Sequence, residues 1–406
     1  MRDWMLDHLT PPGEPDAMRL EAHAFAHDRR GIREGVLVSP RSGRWWWIAD
    51  GVPRLLSCDL YRPPHLEDRY AADIRRLGLP DRPDTDADGA HHAFPRRTHL
   101  ALHRRTIDRF GDEWLRFRDW GYLDEAPRGD DAGYRGGLWT HTLGAFRGKT
   151  FLEDKLVGRV GLDAGCGNGR FTKAALEEGC RRVLAADLGW GVDATRERFA
   201  DDERVGVVQA NLFELPVRGY DAAWSIGVLM HTGDARRAFD QIAAGLDTRG
   251  LFAVRMYHTG NAVYETLDRI VRAATTRLNK PAQLAFSRAM ASLGRAVHTA
   301  DSRLSDGTLK DRAYRLFHTW PTLHHNVDWW SAPIATHHTL PEVLGWASDA
   351  GLTPIRTSPD EPRDRYRFWE WPEALTALFE KQTVSAAAHN NQSIRPPTAP
   401  ASEQAA

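Results

Sequence analysis

The chain of 406 residues is poor in cysteine, has no excess of charge of either sign and contains no long apolar run. Its three cysteines, Cys58, Cys166 and Cys180, include no pair at CxxC spacing, so neither a disulfide framework nor a cysteine zinc knuckle is predicted. The 54 basic and 55 acidic residues leave a net charge of -1, which provides no overall attraction to nucleic-acid phosphates or anionic lipids. These absences favour a small-molecule partner and argue against nucleic acid.

No apolar stretch reaches the roughly 18 residues that a membrane-spanning helix needs. The opening residues, MRDWMLDHLTPPGEPD, carry charges and prolines where a signal peptide has an apolar segment. We therefore expect no membrane association and a cytoplasmic location, which also suits the few free thiols. With 42% apolar and 27% charged residues, the composition is typical of a globular protein long enough for two or three domains.

The N-terminal third divides into two predicted regions. Residues 1–58 end in GRWWWIADGVPRLL, where an aromatic run meets an Asp-Gly turn and a second apolar run, a pattern that predicts a β-hairpin. Residues 59–150 contain the Pro-, Asp- and Gly-rich stretch at 81–92 and then apolar residues at helical spacing from Arg96 to Phe117. We expect a small β module followed by a linker and a helical extension.

The rest of the chain is predicted to be an α/β core with one insertion. Over 151–260, short apolar runs alternate with amphipathic stretches, which indicates a parallel sheet with helices on both faces. Residues 261–326 are helical in pattern but interrupt that alternation, so we expect a mobile helical lid inserted over the open end of the sheet. The core resumes over 327–381, and 382–406 lacks large apolar side chains and is expected to be a disordered tail.

The most informative motif is VGLDAGCGNGRF at 160–171, a strand that enters a glycine-rich turn and then a helix. Its glycines, at 165, 167 and 169, give GxGxG, whereas the dinucleotide fingerprint GxGxxG has its third glycine one place later. Asp163 stands two residues before the first glycine. A carboxylate there would repel a pyrophosphate but attract the amino group of a bound amino acid.

The next predicted strand, RRVLAAD, ends in Asp187, eighteen residues after Gly169. A carboxylate at this point can accept hydrogen bonds from both hydroxyls of a ribose. A ribose and a cationic amino-acid tail together describe S-adenosylmethionine. With these residues, the sequence resembles the class I S-adenosylmethionine-dependent methyltransferases from about Val157 to Tyr257, and more loosely elsewhere.

The resemblance implies a doubly wound, Rossmann-like sheet and S-adenosylmethionine as the cofactor. It continues in VVQANLFELPV, where the family usually has an aspartate beside the adenine. This chain has Asn211 instead, whose carbonyl is expected to accept from the adenine amino group while the backbone of Leu212 meets the ring. YDAAWSIGVLMHTGDARRAF resembles the fourth strand and the turn that holds the carboxypropyl end of the cofactor. The cofactor-binding residues implied are Asp163, Gly165, Cys166, Gly167, Asn168, Gly169, Asp187, Leu188, Asn211, Leu212, Ile226, Gly227 and His231.

The first 58 residues resemble the small zinc-ribbon module that is often fused ahead of such domains in bacteria. In that module a CxxC knuckle precedes the Gly-Arg and DGVPRLL segments, but this chain has Ser39 and Ser42 at those positions. Serine hydroxyls are not zinc ligands, so we expect the metal to have been lost and no metal site to remain. His23 and His27 are expected on a polar helix or loop face rather than in a replacement site.

Candidate catalytic residues come from the histidines and tyrosines near the predicted mouth of the sheet. Methyl transfer is an in-line displacement, so a base is needed only where the nucleophile must lose a proton. His141, Tyr257 and His338 flank predicted strand ends or loops at that mouth, and histidine suits proton transfer near neutral pH. The alternative is that these residues, and the many tryptophans, pack the insertion or lie on the surface.

The sequence thus predicts an S-adenosylmethionine-dependent methyltransferase that acts at O, N or C of a small or medium-sized molecule, such as a natural-product intermediate. Two alternatives remain open. One is a cyclase of the same fold that closes a ring by displacing a sulfonium leaving group. The other is a non-catalytic, cofactor-binding subunit of a partner enzyme, because motifs indicate binding and not turnover. A homodimer is also compatible with the sequence, whereas the neutral charge balance argues against a tRNA or protein substrate.

Overall fold

The fold is built on one mixed sheet of eleven strands. The computed structural model describes residues 1–14, 19–83, 97–131, 134–259, 261–305, 307–360 and 373–383. Most of the predicted linker at 81–92 and of the predicted tail at 382–406 lies outside these ranges. The strands are β1 (Glu21–Asp28), β2 (Gly31–Val38), β3 (Trp45–Ala49), β4 (Val52–Leu55), β5 (Val160–Ala164), β6 (Arg182–Asp187), β7 (Val205–Ala210), β8 (Tyr220–Ile226), β9 (Leu246–Tyr257), β10 (Leu352–Ser358) and β11 (Ala374–Lys381).

The strand order is β1-β2-β3-β4-β7-β6-β5-β8-β9-β11-β10. Strands β4 to β9 of that order pair in parallel, whereas β11 and β10 at one edge and β1 to β4 at the other pair antiparallel. Strands β5 and β7 are buried along their whole length, as expected for parallel strands that helices cover on both faces. The predicted α/β, doubly wound architecture is confirmed.

Helices cover both faces of this sheet. In the described residues they are α1 (Pro64–Arg76), α2 (Arg97–Arg116), α3 (Trp139–Thr150), α4 (Arg170–Glu177), α5 (Gly191–Arg198), α6 (Ala235–Gly245), α7 (Ala262–Thr275), α8 (Lys280–Leu304), α9 (Thr308–Leu316), α10 (Leu323–Ser331) and α11 (Leu340–Asp349). Helices α3, α4 and α5 share one apolar cluster with the sheet, and α6 and α11 share the other. The core therefore forms two layers, one on each side of the strands.

The predicted hairpin of the N-terminal module is present as β3 and β4, joined at Asp50 and Gly51. Both turn residues have positive φ, 49° and 78°, as a two-residue hairpin turn requires. The three tryptophans before the turn are at most 1% exposed. Because side chains alternate along a strand, Trp46 packs into the main core, whereas Trp45 and Trp47 pack toward α1.

The N-terminal module is continuous with the central sheet, which the sequence pattern did not indicate. Strand β4 lies parallel to β7, with Arg54 opposite Gln209. The buried guanidinium of Arg54 donates to Gln209 Oε1 at 2.9 Å and pairs with the carboxylate of Asp193. The module thus extends the sheet at the β7 edge instead of forming a separate body.

A carboxylate lies between the two serines that stand where a zinc ribbon has its cysteines. Ser42 Oγ donates to Glu14 Oε1 at 2.7 Å, and Ser39 Oγ donates to Glu14 Oε2 at 3.1 Å. Arg44, 7% exposed at its side chain, pairs with the same carboxylate at 3.2 Å. This hydrogen-bonded ion pair connects the turn to the preceding segment without a metal ligand.

The predicted position of His23 and His27 was wrong, because both lie on strand β1. The strand is irregular between Ala24 and His27, so their spacing of four residues does not place both side chains on one face. Within the described ranges, no group of three or more His, Cys, Asp or Glu side chains is arranged to hold a metal ion. A zinc-ribbon-like metal centre is therefore not supported by the described residues.

The connection between α7 and α8 and the first residue of α8 contact helix α2 through three polar interactions. Arg105 donates to the carbonyl of Thr276 at 3.0 Å, and Arg109 donates to the carbonyl of Leu278 at 2.9 Å. Lys280 also forms an ion pair with Asp112. In the part of the chain that the structure describes, no helix combines the length and apolarity needed to cross a bilayer.

The Glu14 network leads to a prediction about stability. We expect Glu14→Ala to lower the free energy of unfolding by about 3 kcal/mol, because it leaves the largely buried Arg44 guanidinium unpaired. The control Asp7→Ala removes an ion pair with Arg19 whose side chains are 57% and 69% exposed, and should cost less than about 1 kcal/mol. Urea unfolding measures both, and a chelator should leave the wild-type curve unchanged. Loss of stability in the chelator, or one tightly held zinc per chain by elemental analysis, would contradict this account.

Candidate functional site

A cavity of about 500 Å³ lies along the edge of the sheet where the parallel strands end. Its lining includes the ends of β6, β8 and β9, the residues that follow β5 and β7, and the start of β11. Helices α2, α3 and α10 contribute the other sides. This edge of an open α/β sheet is where ligands bind as a rule.

The glycine turn after β5 is joined to the end of β6 through Asp187. The carboxylate of Asp187 accepts from the N–H of Gly167 at 2.9 Å and from the N–H of Gly189 at 2.8 Å. Burial raises the pKa of Asp187, and these N–H groups oppose that rise because they favour the charged form. The side chain lines the cavity, so it is placed both to support the turn and to meet a ligand.

Helix α2 covers this end of the cavity and packs closely against it at two glycine positions. A Cβ at Gly111 would lie 2.7 Å from the ring of Trp190, which follows β6. A Cβ at Gly167 would lie 2.7 Å from the ring of Trp114 on α2, and Gly167 also has a φ of +54°. Only glycine fits such contacts without displacing a ring, so the two glycines allow α2 to pack directly over the turn.

Asn211 lines the cavity, but its carbonyl already has a partner. Its Oδ1 accepts from the N–H of Phe213 at 3.0 Å and caps the short turn that begins at Leu212. Its Nδ2 lies 3.4 Å from Nδ1 of His103 on α2. A second lone pair remains on Oδ1 for a ligand, yet the expected contact with an adenine amino group would share that oxygen with the backbone.

Of the thirteen sequence-predicted cofactor residues, nine line the cavity: Gly165, Cys166, Asp187, Leu188, Asn211, Leu212, Ile226, Gly227 and His231. Gly167, Asn168, Gly169 and Asp163 do not. Asp163 is 2% exposed and accepts from Thr172 Oγ1 at 2.7 Å, and burial raises its pKa to about 7. The side-chain amide of Asn168 donates to the carbonyl of Trp120 at 2.9 Å. These two side chains support the turn from behind.

His231 lies at the centre of the cavity's aromatic wall. Its Nδ1 is 2.6 Å from the carbonyl of Ile334, so Nδ1 carries the proton and Nε2 is left as an acceptor. Its ring lies edge to face with Tyr257 and 5.2 Å from Phe110. Burial lowers the pKa of His231 to about 4, which keeps the ring neutral at pH 7.

Two of the three predicted catalytic residues, His141 and Tyr257, line the cavity. Burial lowers the pKa of His141, with a further contribution from the charge of Lys149, so its imidazole is neutral and able to accept a proton near pH 7. Burial raises the pKa of Tyr257 well above its usual range. Tyr257 therefore keeps its proton and is suited to donate a hydrogen bond rather than to act as a base.

His338 is not among the residues that line the cavity. Its Nε2 lies 2.9 Å from Thr336 Oγ1 and its Nδ1 lies 3.1 Å from Glu342 Oε1. The ring also packs against Trp346 on α11, with centroids 5.0 Å apart. Because both nitrogens have protein partners, this histidine is placed to fix the start of α11 and not to act on a ligand.

Several cavity residues were missed by sequence reasoning. The charged residues among them have no sequence motif that distinguishes them from surface residues. Helix α2 was predicted as a helix without a role in the site. The missed lining residues include His103, Phe110 and Trp114 of α2, Lys149 of α3, Arg170 of α4, Arg255 of β9, Asp328 of α10, and Glu373.

A fully buried carboxyl group lies behind His324. Glu113 Oε1 is 3.5 Å from His324 Nε2, and both side chains are at most 3% exposed. Burial raises the pKa of Glu113 well above its usual range and lowers the pKa of His324 well below it. Both shifts favour the neutral form of the group. The His324 ring is stacked on Trp120, with centroids 4.5 Å apart, which holds it at the cavity wall.

Comparison with known proteins relates the central part of the sheet to a methyltransferase domain. Residues 162–254 match the family model of a methyltransferase domain, and S-adenosylmethionine is the cofactor of that domain. The curated relatives include a tRNA U34 carboxymethyltransferase of Vibrio cholerae, 33% identical over 81 residues. That match covers 19% of this chain and 25% of the relative, so the chain spans about a quarter of the length of the curated relatives it matches.

Solved structures are similar at low identity. Magnesium protoporphyrin IX methyltransferase from Synechocystis, with bound S-adenosylhomocysteine, is 16% identical with a TM-score of 0.41, and the match covers 69% of this chain and all of that one. The 1,6-didemethyltoxoflavin-N1-methyltransferase of Burkholderia thailandensis is 17% identical with a TM-score of 0.38, over 72% and 94% of the two chains. A likeness at this level carries no functional argument.

The position of Asp187 leads to a prediction about cofactor affinity. We expect Asp187→Ala to weaken S-adenosylmethionine binding by about 1.5–3 kcal/mol, because it removes a charged acceptor from the cavity and two hydrogen bonds from the turn. Asp202→Ala is a matched control, since that carboxylate pairs with Arg204 and does not line the cavity. Calorimetric titration gives both affinities. If Asp187→Ala bound the cofactor as tightly as the control, the assignment of Asp187 would be wrong.

Proposed function

We propose that the chain transfers a methyl group from S-adenosylmethionine to a small or medium-sized acceptor molecule. The observation that carries this proposal is the continuity of the cavity, which runs from the cofactor residues beside β7 and β6 to His141 and Tyr257. A cofactor and an acceptor would meet in one space. The whole chain's activity is a proposal because the domain match covers only residues 162–254.

The extent of the cavity supports two ligands side by side. Its lining spans six neighbouring strands, from β7 through β6, β5, β8 and β9 to β11. Strands are spaced about 4.8 Å apart, so five intervals make about 24 Å. Asp187, Leu188, Asn211 and Leu212 lie toward the β7 end and are assigned to ribose and adenine. The part beyond β8, over β9 and β11, is then left for the acceptor, and we call it the acceptor half.

The chain's own residues have distinct tasks in this scheme. When bound, the cofactor would supply an electrophilic methyl group on a sulfonium, with a neutral thioether as the leaving group. His141, neutral near pH 7, would accept the proton that an O–H or N–H nucleophile loses as it attacks. Tyr257, which keeps its proton, would orient the acceptor by donating a hydrogen bond. Helix α2 excludes water from the cofactor end through Phe110 and Trp114.

The walls of the acceptor half favour a flat or ring-containing small molecule. Tyr257 and Trp329 lie with ring centroids 4.7 Å apart, and Trp320 is stacked on His325 at 5.3 Å. Aromatic faces of this kind bind planar groups with little loss of side-chain entropy. The tRNA-modifying relative keeps nucleic acid open as a substrate, but the net charge of -1 does not favour it.

Methyl transfer can be tested with cofactor that carries a labelled methyl group. Incubation of the protein with the labelled cofactor and a cell extract, separated afterwards into small-molecule, RNA and protein fractions, should place the label in the small-molecule fraction. Mass spectrometry of that product should show one intact labelled methyl group. An unlabelled ring-closed product would favour the cyclase, and label in RNA alone would refute the small-molecule assignment.

A matched pair of histidine variants tests the proposed base. We expect His141→Gln to lower the rate of the chemical step by roughly 10²–10⁴-fold with little change in cofactor affinity. His338→Gln should leave that step nearly unchanged, because His338 does not line the cavity. Burial lowers the pKa of His141, so the wild-type rate should fall only as the pH drops below about 6.5 and His141 gains a proton. Equal effects of the two substitutions would exclude His141 as the base.

A further inference from the structure

Two basic side chains in the cavity have no acidic or hydrogen-bonding partner among the described residues. Lys149 and Arg170 line the cavity, and neither side chain has a hydrogen bond or an ion pair with any of the described residues. The guanidinium of Arg170 lies 5.1 Å from the ring centroid of Trp114 and 4.9 Å from that of Phe171. A third cation, Arg255, donates to Thr376 Oγ1 at 3.1 Å. All three side chains are half-buried and line the cavity, so they are placed for a partner that enters it.

Lys149 and Arg255 lie away from the ribose end of the cavity. Arg255 lies on β9, which is two strands from β5 and three from β6. Lys149 lies on α3, which packs against β9 and β11. Arg170 follows the glycine turn at the start of α4 and lies between the two ends. Lys149 and Arg255 therefore face the space that the acceptor would occupy.

Basic side chains outnumber carboxyl groups among the lining residues of this part of the cavity. Six titratable groups surround Lys149 and influence its charge or are influenced by it: Arg170, Arg255, Asp328, Glu373, His141 and His325. Three basic side chains thus face two lining carboxyl groups, since the third lining carboxylate, Asp187, lies at the ribose end on two backbone N–H groups. Arg170 is also influenced by the carboxyl groups of Glu113 and Asp163, which do not line the cavity. A bound sulfonium would add a further positive charge.

The pKa of Lys149 reflects its burial and these neighbouring charges. Burial and, to a smaller extent, the charges of Arg255 and Arg170 together lower it to about 7. Burial raises the pKa of Asp328, against the effect of the neighbouring cations. An anion that approached Lys149 would raise the pKa of that amine, because the charged form would then be favoured.

We propose that Lys149 and Arg255, with Arg170 beside them, bind a carboxylate of the acceptor molecule. The inference rests on the proposed function and adds to it a substrate class, acidic small molecules. A guanidinium offers paired N–H donors that match a carboxylate, and an ammonium adds a compact charge. The anchored acid group would hold the rest of the acceptor between Tyr257, Trp329 and the cofactor.

The first experiment uses benzoate as a probe on the protein loaded with S-adenosylhomocysteine. Calorimetry should detect benzoate binding and no binding of benzamide, which has the same shape without the charge. Lys149→Met should weaken benzoate binding at least tenfold, Lys149→Arg should retain it, and the exposed control Lys155→Met should match the wild type. Equal binding of benzamide, or unchanged binding to Lys149→Met, would overturn the proposal.

Proton uptake provides a second readout that a merely structural role for Lys149 would not produce. At pH 8 the free amine of Lys149 is mostly neutral, so benzoate binding should take up close to one proton. Titrations in buffers of different ionisation enthalpy measure this number. It should fall toward zero in Lys149→Met, and binding should tighten as the pH is lowered from 8 to 6. Binding without proton uptake in the wild type would contradict the assignment of Lys149.

A third comparison tests whether the cations bind a carboxylate of the acceptor or the carboxylate of the cofactor. Benzoate should bind equally to protein loaded with S-adenosylhomocysteine and to protein loaded with 5′-methylthioadenosine, which lacks the amino-acid part. If only the second complex bound benzoate, the cations would serve the cofactor and the proposal would be overturned. If the protein bound no S-adenosylhomocysteine but bound benzoate through Lys149, the anion subsite would be supported and the proposed function refuted.

Discussion

The site depends on the contact between the carboxylate of Asp187 and the N–H groups of Gly167 and Gly189. This pair of hydrogen bonds joins the turn after β5 to the end of β6, so two neighbouring strands present one rigid surface. Helix α2 can pack on that surface only because Gly167 and Gly111 have no side chain. A single half-buried carboxylate therefore helps to position the turn, the covering helix and the ribose end of the cavity together.

The helical insertion and the N-terminal module are joined to the core and contact elements that surround the cavity. The insertion at α7 and α8 holds α2 through Arg105, Arg109 and Lys280, and none of α7, α8 and α9 lines the cavity itself. The N-terminal module extends the sheet beside β7, where Arg54 reaches Gln209 and Asp193. Both additions therefore stabilise the walls of the cavity. Residues 318–325, at the end of the expected lid, contribute His318, Trp320, His324 and His325 to the lining, and closure of the lid stays a prediction.

Removal from water determines the protonation states in the cavity. Burial lowers the pKa of His141, His231 and Lys149, and it raises the pKa of Tyr257. The imidazoles are consequently neutral acceptors and the phenol keeps its proton, which separates proton acceptance from hydrogen-bond donation. Lys149 is the group whose charge is most open to change by a ligand, because its pKa of about 7 lies near neutral pH.

The sequence by itself determined the features that depend on local chain geometry. The alternation of strands with helices predicted the sheet, and the GxGxG spacing with the carboxylate at the end of the next strand predicted the cofactor turn. The resemblance to the methyltransferases implied the other cofactor residues, among them Asn211 and His231. These signals are local, because a glycine turn and a strand period are set by neighbouring residues. Tertiary structure alone decided that α2 covers the turn, that His338 is outside the cavity, and that Lys149, Arg255 and Asp328 converge. Those positions depend on contacts between segments about fifty or more residues apart, and no local pattern distinguishes a lysine that will face a cavity from one that will face water.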